Sequence, residues 1–108
     1  MKMLVHVGMF AFSALGGTVA EAAPSDADGA KLIAKYNCVA CHTVDKKLVG
    51  PAFRDVAKKY ASDATAGDKL QSKVKNGSTG VWGAIPMPPN SVSDADLKAL
   101  VEWILSLK

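Results

Sequence analysis

The chain is poor in reactive side chains. Its 108 residues include two cysteines, two histidines and four methionines, and aromatic residues make up only 6 % of it. The two cysteines lie three positions apart, and a disulfide closing so small a ring gains little loop entropy while straining the bond. The charge imbalance is equally slight, 13 Lys+Arg against 10 Asp+Glu. With no basic run and no interleaving of aromatic and basic residues, nothing here suggests a nucleic-acid surface. The chain also lacks internal repeats, low-complexity tracts and any alternating strand pattern.

The long apolar run sits at the N terminus. Lys2 gives a positive start, Met3 to Leu15 is apolar apart from His6, Gly8 and Ser13, and Gly16-Gly17 leads to the triplet Ala20-Glu21-Ala22. This pattern predicts a secretory signal peptide over residues 1–22, cleaved after Ala22 and leaving residues 23–108 as one domain. The competing reading is an uncleaved anchor, since Met3 to Ala20 just reaches spanning length. The glycine pair and the alanine-rich exit favour cleavage. Removal leaves a single histidine, His42, and a single methionine, Met87.

The remaining 86 residues hold 39 of the hydrophobic set, of which 13 are alanine, so 26 are left to build a core. A core of that size supplies only about 3–5 kcal/mol unless something else holds the fold. Export implies an oxidising compartment, but the cysteine spacing disfavours a disulfide staple. A bound cofactor is the better candidate.

Four helical patterns follow. Ser25 can cap a helix over about Asp26 to Asn37, with Gly29, Leu32, Ile33 and Tyr36 on one face. A second, shorter helix carries Phe53, Val56, Ala57 and Tyr60 at the same spacing. A third covers about Gly67 to Lys75, with Leu70 and Val74 inward and Asn76-Gly77 as its stop. Ser93 caps the last, where Leu97, Leu100, Val101, Ile104 and Leu105 form an apolar stripe and Asp94 and Asp96 favour the helix dipole. An all-α fold is expected, with the first and last helices packed together. Between the third and fourth helices, Gly77 to Ser91 holds three glycines and three prolines and predicts a long, stiff loop without regular structure.

The chemistry is concentrated in Cys38-Val39-Ala40-Cys41-His42. A C-x-x-C-H sequence can attach c-type haem, two thiols adding across the vinyl groups while the adjacent histidine becomes an iron ligand. Zinc would need four ligands, and only three adjacent candidates exist. A thioredoxin-like dithiol would sit near a βαβ pattern, which is missing. A low-spin electron-transfer haem needs a sixth ligand, and a Met/His pair is a standard solution. Elimination selects Met87, although a lone methionine can also be core filler. Its place between Pro86 and Pro88-Pro89, rather than on a helix stripe, favours ligation.

Together with Val49-Gly50-Pro51-Ala52, Gly80-Val81-Trp82-Gly83-Ala84-Ile85-Pro86-Met87-Pro88-Pro89-Asn90 and the closing Trp103-Ile104-Leu105-Ser106, this motif resembles the small bacterial periplasmic class I cytochromes c of the c-551 type. The resemblance covers nearly all of residues 25–108. It implies the class I cytochrome c fold, about four short helices around one haem c attached through Cys38 and Cys41, with His42 and Met87 on the iron. It further implies that the Pro51 carbonyl meets the second nitrogen of His42, that the Trp82 indole N–H reaches a haem propionate, and that the Asn90 side chain bonds near the Met87 sulfur.

The implied function is that of a periplasmic single-electron carrier, a monomer that turns over no small-molecule substrate and is not an enzyme. Implied partners are periplasmic redox proteins, a quinol-oxidising complex as donor and a terminal reductase or oxidase as acceptor. The clusters Lys46-Lys47, Lys58-Lys59 and Lys73-Lys75 are either solvated helix faces or a docking rim for an acidic partner. A peroxidase-like haem enzyme or a gas sensor is the alternative. Either would need a displaceable sixth ligand and distal acid/base groups, yet residues 23–108 hold no second histidine and a single arginine, Arg54.

Overall fold

All four helical patterns are present in the computed structural model, which describes Gly8 and residues 22–108. They are α1 (Asp26–Lys35), α2 (Phe53–Lys59), α3 (Ala66–Asn76) and α4 (Asp94–Ser106). The expected signal peptide lies outside the described residues except at Gly8 and Ala22. Among the described residues there is no strand, and no helix is long and apolar enough to cross a membrane.

The helix ends follow from local chemistry. Ser25 Oγ accepts the Asp28 amide at 3.2 Å and Ser93 Oγ accepts that of Asp96 at 3.3 Å, so both caps act on orphan amides of the first turn. Helix α1 stops at Lys35, two residues before the expected end. Asn37 has a φ of +57°, a left-handed conformation that asparagine tolerates, and it turns the chain into a 3-10 turn over Cys38–Ala40. Helix α2 has no side-chain cap. Its first amides, of Phe53 and Arg54, donate instead to the carbonyls of Thr43 and Val44 at 2.9 and 3.0 Å, which folds the preceding loop against the helix. Helix α3 ends at Gly77, whose φ of +85° is open to glycine.

Helix α4 is the hub, since α1, α2 and α3 all pack on it. Leu97, Leu100, Val101, Trp103 and Ile104 meet Ile33 of α1, Phe53 and Val56 of α2 and Leu70 of α3 in one cluster. The α1–α4 crossing is tight because Gly29 lacks a side chain: a Cβ there would lie 2.2 Å from two carbons of the Trp103 ring. The Trp103 indole N–H donates to Asp26 Oδ1 at 3.0 Å. Asp96 adds a second tie, accepting from Tyr36 at 2.5 Å and from Lys35 at 3.0 Å. The expected pairing of the terminal helices is therefore observed.

The 77–91 loop is more ordered than its composition suggests. Ser78 and Met87 form an antiparallel bridge, with amide-to-carbonyl distances of 3.0 and 2.8 Å in the two directions. The Asn90 amide donates to the Val74 carbonyl at 2.9 Å, closing the loop onto α3.

Two predictions follow from these contacts. A methyl at Gly29 gains about 1 kcal/mol of helix propensity but overpacks on Trp103, at a cost of about 1–3 kcal/mol. At 2.2 Å the clash dominates, so Gly29→Ala is expected to lower the unfolding free energy by about 1 kcal/mol in a urea titration. The second concerns Asp63, which accepts from Lys69 Nζ and from the Thr65 hydroxyl, both at 2.7 Å, and from the Thr65 amide. These bonds, Lys69 first, lower its pKa from 3.8 to about 2. A depressed carboxylate stabilises above its unfolded pKa and loses that contribution as pH falls through the folded one. Asp63→Asn should therefore flatten the stability profile between about pH 4 and pH 2, as read from urea midpoints.

Candidate haem site

The C-x-x-C-H segment is shaped by the turn that Asn37 begins. The amides of Cys41 and His42 both donate to the Cys38 carbonyl, at 3.2 and 3.0 Å, so Cys38, Cys41 and His42 project from one compact turn. The chain then loops out and returns. Gly50 donates to the Cys41 carbonyl at 2.7 Å, and the Thr43 hydroxyl accepts from the Lys46 amide while donating to its carbonyl. This closure brings the Pro51 carbonyl to 2.7 Å from His42 Nδ1. A carbonyl can only accept, so Nδ1 carries a proton, and Nε2 is the ring nitrogen whose lone pair is left for a metal.

Two further contacts hold the imidazole. The Phe53 ring is stacked on it at 5.0 Å between centroids and 20° between planes. Gly50 lies so near that a Cβ would fall 2.4 Å from His42 Cε1 and 2.8 Å from Nδ1. Neither role was visible in the sequence, where Phe53 reads as one residue of a helix stripe and Gly50 as part of a turn.

Met87 comes from the 77–91 loop. Its backbone is paired with Ser78, and Gly77 makes room for it, because a Cβ at 77 would sit 2.8 Å from the Met87 carbonyl oxygen. Asn90 Nδ2 donates to the Pro88 carbonyl at 2.9 Å and approaches that of Val74 at 3.5 Å. The carboxamide is thus placed to brace the methionine loop, through carbonyls rather than through the Met87 sulfur. Trp82 lies farther along the loop, 40 % exposed, with the Lys59 ammonium 5.5 Å from its ring centroid.

Cys41, His42, Gly50, Pro51, Trp82 and Met87 all border one cavity of about 410 Å³. A neighbouring cavity of about 220 Å³ shares Cys41, His42 and Met87 and adds Cys38 and Asn90. The first volume lies within the range of small-molecule and cofactor sites, about 300–1,000 Å³. Its remaining walls are mostly apolar, including Phe53, Val56, Leu70, Val101 and Ile104. Two thiols, one imidazole nitrogen with a free lone pair and one thioether around an apolar slot suit a covalently attached haem. They do not suit the alternatives. Among the described residues no three His, Cys, Asp or Glu side chains converge on a metal site, and burial pushes the Cys38 thiol up, opposite to the reactive thiolate of a dithiol redox centre.

Comparison with known proteins agrees with this chemistry. The family described as cytochrome c matches residues 27–108. Cytochrome c-552 of Nitrosomonas europaea is 58 % identical over 103 residues, spanning 94 % of this chain and 95 % of that protein. Cytochrome c-551 of Pseudomonas aeruginosa is 50 % identical over 95 residues, 88 % of this chain and 90 % of that one. The crystal structure of wild-type Nitrosomonas europaea cytochrome c552 superposes with a TM-score of 0.71 at 60 % identity, covering 73 % of this chain and 99 % of the other. That of the class 1 cytochrome MtoD from Sideroxydans lithotrophicus gives 0.62 at 34 % identity, covering 77 % and 97 %. The chain therefore belongs to the cytochrome c family, as a small class I monohaem member with one covalently bound c-type haem and the function of an electron carrier.

Proposed function

We propose that this chain is a periplasmic single-electron carrier whose haem is joined to Cys38 and Cys41 and whose iron is held between His42 Nε2 and Met87 Sδ. The observation that carries this reading is the 2.7 Å hydrogen bond from His42 Nδ1 to the Pro51 carbonyl. It leaves Nε2 as the one ring nitrogen able to bind a metal, on a ring that lines the same cavity as Met87. The haem supplies the one-electron couple. His42 and Met87 would hold the iron from this chain's own side chains, which calls for neither substrate binding nor bond cleavage and makes the protein a carrier and not an enzyme.

Each residue has a definite task. Pro51 fixes the orientation and basicity of His42. The proline-bound loop and its bridge at Ser78 keep the weak thioether ligand in place with little entropy left to lose, and Asn90 braces that loop through the Pro88 carbonyl. Trp82 would donate its indole N–H to a haem propionate, with the Lys59 ammonium, 5.5 Å from its ring centroid, supplying positive charge nearby. Residues 1–22 direct export and are removed, leaving residues 23–108 as the working domain.

Partners are periplasmic redox proteins, with a quinol-oxidising complex as donor and a terminal reductase or oxidase as acceptor. Lys47 and Lys73 border the cavity, and Lys46 and Lys59 stand exposed. A cationic rim beside the cavity suits brief, salt-sensitive docking of an acidic surface.

Absorption spectra test the ligand set. Met87→Ala is expected to lose the weak sulfur-to-ferric charge-transfer band in the far red while keeping its haem through denaturation. A band that survives in the variant removes Met87 as ligand. Reduced wild-type protein is expected to resist carbon monoxide at neutral pH. Ready binding would return the site to a haem enzyme or gas sensor. Denatured, reduced protein should show no titratable thiol, and two such thiols would refute attachment at Cys38 and Cys41.

A further inference from the structure

The imidazole of His42 is held on more sides than the Pro51 bond alone would require. Rotation about the Cβ–Cγ bond of histidine is soft and broadly two-fold, and a single hydrogen bond leaves the ring free to pivot about its Nδ1–oxygen axis. Phe53 removes that freedom: its ring lies 5.0 Å away and only 20° from parallel, while Gly50 crowds the Cε1 side. Phe53 is itself immobilised. It is 4 % exposed, its amide is bound to Thr43, and the Trp103 ring meets it edge-on at 5.9 Å and 69°. Trp103, 3 % exposed, is anchored by its N–H to Asp26 and by the absence of a side chain at Gly29. A continuous packed path thus runs from the α1–α4 crossing to the His42 ring.

We propose that Phe53 is a positioning residue for electron transfer: held in place by its edge-on contact with Trp103, it sets the plane and tilt of the His42 imidazole. This rests on the reading of His42 as an iron ligand. Orientation matters because the imidazole plane decides which iron d orbital overlaps its π system, and so how unpaired spin spreads over the haem in the ferric state. It matters again because a ring that tilts from the Pro51 carbonyl is a weaker donor to ferric iron.

The test compares holoprotein variants. Phe53→Leu keeps an apolar side chain of similar bulk and removes the stacking ring, Phe53→Tyr keeps the ring, and Leu97→Ala loosens the core at a buried position that borders neither cavity. Proton NMR of the ferric state reads the order and spread of the haem methyl resonances, and a mediator titration reads the potential. Phe53→Leu is expected to rearrange the methyl pattern and move the potential upward, Phe53→Tyr to keep both near wild type, and Leu97→Ala to lose stability while keeping both. A wild-type pattern and potential in Phe53→Leu would overturn the proposal. So would changes of equal size in Phe53→Tyr, where the ring is retained, or in Leu97→Ala, where only stability is lost. Failure of the ligand assignment is distinguishable, because wild-type protein labelled with 15N-histidine would then show no strongly shifted imidazole nitrogen.

Discussion

The hydrogen bond between His42 Nδ1 and the Pro51 carbonyl is the constraint on which the rest of the site depends. For that carbonyl to arrive, the chain from Cys41 to Arg54 must close on itself. It does so through backbone bonds, Gly50 to Cys41, Phe53 to Thr43 and Arg54 to Val44. The last two also serve as the missing cap of α2, so one set of contacts starts a helix and orients the His42 ring. Arg54 extends the closure outward, bonding Asp45 at 2.7 Å and also the Lys108 carbonyl, which ties the loop to the C terminus.

The core explains why the fold tolerates so few large apolar residues. Those it has are divided between two tasks. Leu97 and Trp103 join the helices to one another, whereas Val56, Leu70, Leu100, Val101 and Ile104 also face the two cavities. Leu48, Val49, Val81, Trp82 and Ile85 border the cavity too, and all are exposed. Apolar surface of this extent on a small protein marks a ligand or partner site. The haem is accordingly part of the core as well as the seat of function, since its burial removes from water the surface that these side chains leave open.

Much of the fold was legible because it is local. Ser25 and Ser93 sit three residues before the amides they cap, and the stripes on α2 and α4 repeat at helical spacing, so elements and facing sides could be read directly. The misreadings were local details overruled by longer contacts. Asn37 ended α1 early because the Cys38 turn needs a left-handed residue. The 77–91 loop gained a bridge because Ser78 and Met87, nine positions apart, meet only when Gly77 turns. The Asn90 carboxamide meets the carbonyls of Pro88 and Val74, the latter 16 positions away, a contact that no local pattern records.

The sequence by itself determined the reactive groups and their frame: two thiols and an imidazole in C-x-x-C-H, a methionine between prolines, and the four helices around them. Those conclusions need only residue identity and spacing, because a scarce reactive group has few possible roles and a helix repeats every 3.6 residues. Only the tertiary structure decided how the imidazole is held, with Pro51, Phe53 and Gly50 around it and Trp103 behind. Stacking and close approach depend on where separate segments cross in space, and neither periodicity nor composition records a crossing.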